Sequence, residues 1–85
     1  METRVAVISI ILENSQSVDE VNKLISDSSD FIVGRMGIPY KKRGLSIISV
    51  VMDAPQDVIS TFSGKLGSLD GVSAKAAYSK YVFND

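Results

Sequence analysis

Residues able to do chemistry are few in this chain, and two types are missing altogether. Its 85 residues include no histidine and no cysteine. Without histidine there is no side chain that titrates near neutral pH unaided, and no Ser-His-Asp arrangement can be assembled. Without cysteine there is no thiolate nucleophile, no disulfide and no thiolate ligand for a soft metal. A transition-metal site would need carboxylates alone. Glu13, Asp19, Glu20, Asp27, Asp30, Asp53, Asp57 and Asp70 are instead scattered, mostly where helix caps and solvated helix faces are expected. The expectation is a protein that is not an enzyme and carries no metal and no cofactor.

Three stretches remain as candidates. Ser63-Gly64-Lys65-Leu66-Gly67 contains a Gly-Lys pair, but no glycine stands upstream and Leu66 sits where a P-loop needs Ser or Thr for magnesium. The structural reading gives Gly64 to close helix packing and Gly67 to a helix end. The functional reading makes Lys65 an anion contact. Glu13-Asn14-Ser15-Gln16 is polar and has no glycine, so it is a poor phosphate cradle. Val33-Gly-Arg-Met-Gly-Ile-Pro-Tyr-Lys-Lys42 is the third. Gly34 and Gly37 would let a strand bulge or approach another backbone, Pro39 suits an edge strand, and the basic end discourages edge-to-edge pairing. Alternatively Arg35, Met36 and Tyr40 belong to a subunit contact or an effector pocket, since Arg and Tyr are favoured at interfaces.

These residues must be positioned by a small set of elements. Val5 to Leu12 is rich in β-branched residues and predicts a buried strand over residues 3–13. Ser17-Val-Asp-Glu20 has capping-box spacing and predicts a helix over 17–29, with Val18, Val21, Leu24 and Ile25 as its apolar stripe. Strands over 32–40 and 45–53, joined by a turn at 41–44 that relies on Gly44, form a hairpin. Asp53 or Ala54 would cap a second helix with Pro55 in its first turn, and Val58, Ile59, Phe62, Leu66 and Leu69 on its inner face. Asp70-Gly71 is a turn, and Val72 to Val82 alternates as a last strand. The order βαββαβ predicts an α+β, ferredoxin-like fold: a four-stranded antiparallel sheet with two helices on one face. Residues 1–85 read as one domain.

Two helices cover one face only, so the strands of a monomer should alternate. The central two do not. On the first strand one set is Val5, Val7 and Ile11 and the other Ala6, Ile8, Ile10 and Leu12; on the third strand the two sets are Leu45, Ile47 and Val51, and Ile48, Val50 and Met52. Whichever set faces the helices, the other leaves a contiguous apolar patch, the mark of an interaction surface. A symmetric copy is the simplest cover. The alternative is that Tyr81-Val82-Phe83 folds back over the patch. Val5, Val7, Ile11, Ile47, Val51, Met36 and Tyr40 are the expected interface residues.

The net charge is −1, and the one basic cluster, Arg35 with Lys41, Lys42 and Arg43, is short. Nucleic-acid binders usually carry a basic excess. The apolar run at Val5 lacks a cleavage signal and is too short to span a bilayer. A cytoplasmic protein, without direct nucleic-acid or membrane contact, is expected.

Gly34-Arg35-Met36-Gly37-Ile38-Pro39-Tyr40, and Ser63-Gly64-Lys65-Leu66-Gly67 with Gly71-Val72 beyond it, carry a family resemblance that extends over nearly the whole chain. The sequence resembles the small proteins named regulators of the iron-only hydrogenase system. That family is ACT-like, similar to the C-terminal domain of nickel-responsive repressors. The resemblance implies pairing, often tetramers through the sheets, and a transcriptional-regulator role. Nickel sensing does not carry over, because histidine and cysteine are absent. Nor does amino-acid binding by an ACT loop carry over, because residues 13–16 lack its glycine. No helix-turn-helix or ribbon-helix segment stands ahead of the first strand to read DNA. The resulting expectation is an ACT-like regulatory module, a homodimer or tetramer, taking a small effector near Asn14, Ser15 and Ser17, with Arg35 and Lys65 adding charge. The alternative is a ligand-free adaptor that binds another protein through the sheet.

Overall fold

The computed structural model describes residues 1–84; Asp85, which the one-domain reading included, lies outside them. The β-branched run forms strand β1, Glu2–Leu12. Helix α1 is Val18–Asp27, and β2 is Ile32–Tyr40. Strand β3 is Leu45–Ala54, α2 is Gln56–Gly67, and β4 is Val72–Asn84. The strands pair antiparallel in the order β2-β3-β1-β4. This is the ferredoxin-like arrangement the sequence predicts.

Register settles which aliphatics face the helices. Ala6, Ile8 and Ile10 pair with Met52, Val50 and Ile48 of β3 and with Tyr78, Ala76 and Ala74 of β4. Paired residues share a face, and this one is the core: Ile8, Ile10, Val50 and Met52 are fully buried against Val21, Ile25, Ile59, Phe62 and Leu66. Burying one such side chain contributes about 2 kcal/mol. The helices therefore hold most of the fold's apolar burial on this side.

Several local expectations are corrected. The capping box does not form: the Ser17 side chain makes no bond to its helix, and a 3₁₀ turn, Ser15–Ser17, leads into α1 instead. Pro55 stands just ahead of α2 in extended conformation rather than inside its first turn, because β3 continues to Ala54. Gly67 does end α2, as expected, though without a left-handed turn, and Ser68 follows with helical angles. Positive φ occurs at Gly44 (67°) and Gly71 (69°). Gly64 does not serve close packing, since a Cβ there would meet nothing within 4 Å. Neither does anything approach Gly34 or Gly37, although the register of β2 shifts between Ile32 and Gly34. Tyr81-Val82-Phe83 does not fold over the sheet. After a register shift, β4 runs on, with Val82 opposite Arg4 and Phe83 opposite Thr3.

Candidate functional site

Beyond Leu12 the chain leaves the sheet and is fastened at once to the turn before β4. The Glu13 N–H donates to Gly71 O at 2.7 Å. Asn14 accepts from the Gln16 N–H at 3.1 Å through Oδ1, the local bond that makes Asn a turn former. The Ser17 hydroxyl donates to Asp70 O at 2.7 Å, and Ser17 is buried. Gly71 is required twice over: its φ is left-handed, and a Cβ would collide with the Asn14 side-chain amide. Ser17 is thus a structural tie, with its hydroxyl engaged inside the fold. Asn14 and Ser15 remain exposed beside it.

Arg35 lies on the helix side of β2, opposite Val50. Its Nη2 donates to Asn22 Oδ1 of α1 at 3.4 Å. Below that bridge is a groove of about 300 Å³ between α1 and the β2–β3 hairpin, floored by Leu12, Val18, Val21, Pro39 and Ile48. It exists because small residues stand where the hairpin passes beneath the helix. Gly37 offers no side chain, and Ser46 only a hydroxyl. A second lobe of about 290 Å³ continues past Pro39 and Ser46 to Asn14, Ser15 and Lys41. The fold therefore brings Asn14, Ser15 and Arg35 to one groove. Lys65 is elsewhere: with Asp27 and Asp57 it lines a hollow of about 230 Å³ between α1 and α2.

The other candidate surface is the open face of the sheet. Rows across it follow from the register: Ile38, Ile47, Ile11, Ser73; then Met36, Ser49, Ser9, Lys75; then Gly34, Val51, Val7, Ala77. Tyr40 sits opposite Leu45 at one end, and Val5 opposite Asp53 at the other. All seven expected interface residues fall on this face. Met36 is 61% exposed, and Ile38 49%.

Two groups escaped the reading from residues. Arg4 donates to Gln56 Oε1 at 2.9 Å and to Ser79 O at 2.7 Å, and lies 4.9 Å from the Tyr78 ring centre. It ties the start of α2 to the irregular part of β4. Asn22, the partner of Arg35, was also missed. Both depend on contacts between residues distant in sequence, although a lone Arg inside an apolar strand is a visible signal for the first.

Sheet order, helix placement and register define a ferredoxin-like α+β domain with one face uncovered. Residues 4–76 match the TM1266-like family, described as "Iron-only hydrogenase system regulator, putative". The chain belongs to that family. The uncharacterized protein TM1266 from Thermotoga maritima is similar at 30% identity and a TM-score of 0.88, over 92% of this chain and 99% of that one. A formyltetrahydrofolate deformylase from Pseudomonas putida KT2440 shares the fold at 9% identity and a TM-score of 0.62, over 86% of this chain and 28% of its own. CPII from Thiomonas intermedia K12, a nitrogen regulatory PII-like protein in its apo form, shares it at 8% identity and 0.54, over 99% and 98%. The curated proteins contain no match. Among the described residues, no helix is long and apolar enough to cross a membrane.

Proposed function

We propose that this chain acts as an ACT-like, oligomeric regulatory module of the iron-only hydrogenase system, pairing through the open face of its sheet and responding to a small effector. The observation that carries this reading is the apolar open face itself. Four strands about 4.8 Å apart and roughly eight residues long present ~500 Å², so two copies would bury ~1,000 Å². That is the lower end of what a specific interface needs, and it suits a dimer whose assembly a ligand can tune. The groove beside α1, with Arg35 at its rim, supports the effector part.

Native mass spectrometry of freshly purified protein tests the proposal. A dimer or tetramer supports it, and Ile47→Glu should then yield monomers. A monomer at all accessible concentrations overturns it. If the chain instead forms a complex of fixed stoichiometry with a different protein through the same face, the adaptor reading replaces it.

A further inference from the structure

The groove between α1 and β2 contains one feature that pairing through the sheet does not require. Among the described residues Arg35 has no acidic partner. The ion pair among the described residues is Lys23 with Asp27, on the outer side of α1. Neither lobe of the groove is lined by any Asp or Glu. Lys65 makes the contrast, since its hollow holds Asp27 and Asp57. The neighbour Arg35 does have is the neutral amide of Asn22, at the long distance of 3.4 Å. A guanidinium is a planar fork of donors suited to a carboxylate. Here the exposed fork bonds only that amide among the described residues, and an apolar floor lies beside it.

From this we infer that the groove is the effector site and that it takes a small amphipathic monocarboxylate. The acid group sits on Arg35 beside Asn22. The apolar body lies over Leu12, Val18 and Pro39, in the space that Gly37 leaves open. The inference deepens the regulatory reading and rests on its effector part. The single guanidinium in this lobe fits one negative charge. A cationic ligand would meet Arg35 with no carboxylate to offset it. Small ligand pockets share this design: mostly apolar walls with few polar groups that fix orientation.

The test is an amide NMR titration of the isotope-labelled full chain with octanoate and phenylbutyrate. Octanamide and inorganic phosphate serve as controls. Either acid should shift Asn22, Gly37 and Ser46 saturably. Octanamide should bind about 10-fold more weakly, the worth of a charge-assisted hydrogen bond. Arg35→Met, which keeps the stem and removes the fork, should weaken the acids by a similar factor. Gly37→Val should abolish binding while leaving thermal stability intact, because its new side chain enters open space.

These results would overturn the inference: no saturable shift with either acid, octanamide binding as tightly as octanoate, or shifts confined to open-face residues outside the groove such as Val7 and Val51. Tighter binding of phosphate than of both acids would also overturn it. An oligomer that ignores both acids sinks this inference and leaves the assembly reading standing. A monomer that binds them through Arg35 does the reverse.

Discussion

Ile10 and Ile11 are adjacent residues of one strand, and they live in different surroundings. Ile10 is fully buried under the helices, whereas Ile11 keeps 39% exposure on the open face. Ile8 and Val7 repeat the contrast one turn of the pleat away. Both faces are made of residues with high strand propensity. What separates them is cover: α1 and α2 lie over one face, and among the described residues nothing lies over the other. Aliphatic content in this chain therefore reports strand formation on both faces, while the helices decide which face is core.

The sharpest way to test that contrast is to truncate each neighbour. Ile10→Ala should destabilise the fold by about 3 kcal/mol, since it removes buried methylenes and leaves a cavity. Ile11→Ala should cost less than about 1 kcal/mol in dilute protein, because its side chain is already half in water. Urea unfolding of the two variants measures both. If the cost of Ile11→Ala climbs toward that of Ile10→Ala as protein concentration rises, the open face is covered by a second copy, because association stabilises only the folded state. Equal costs at every dilution would break the contrast.

The next effect concerns what holds the helix layer in place. Gly71 and Gly44 share a left-handed φ but not their surroundings. Gly71 backs onto Asn14 in the junction that fastens the start of α1, while Gly44 turns the hairpin in open space. Gly71→Ala should cost about 2 kcal/mol, from backbone strain plus collision with the Asn14 amide. Gly44→Ala should cost about 1 kcal/mol, from strain alone. Thermal unfolding of the pair gives the difference. Equal values would mean that the Asn14 side chain moves aside freely.

Much of this was legible in the residues. The element order, the hairpin with its Gly44 turn, the inner faces of both helices and the excess of aliphatics on the central strands all follow from local pattern. Which aliphatic set faced inward did not, because both sets of β1 and β3 are apolar and only the placement of α1 and α2 distinguishes them. One glycine misled where type was taken for role: Gly64 meets open space rather than a close neighbour, whereas Gly67 ends α2 and Gly71 takes the demanding position in its turn, as their places in the sequence suggest. The grouping of the candidate residues was half legible. Arg35, Asn14 and Ser15 share a groove, but Lys65 lies between the helices, and a spacing rule cannot tell one side of α1 from the other. Ser17 shows the same limit. Ser-x-x-Glu satisfies a local rule, and a tertiary partner, Asp70 O, takes the hydroxyl instead.

That competition yields the smallest effect and the most specific one. Ser17→Ala should cost about 1 kcal/mol, the net value of one hydrogen bond whose carbonyl partner is partly buried. A cap and a tie predict the same loss of stability but different places for it to show. Were Ser17 a cap, alanine would fray the first turn of α1, and amide exchange would quicken at Asp19 and Glu20. As a tie across to the turn before β4, its loss should quicken exchange at Gly71 and Val72, with the first turn of α1 little changed. The tie also helps hold the helix layer over the sheet, so the variant should loosen the helix face without altering the exposure of the open one. Hydrogen exchange on the full chain resolves the two patterns, and quickening confined to Asp19 and Glu20 would restore the capping-box reading.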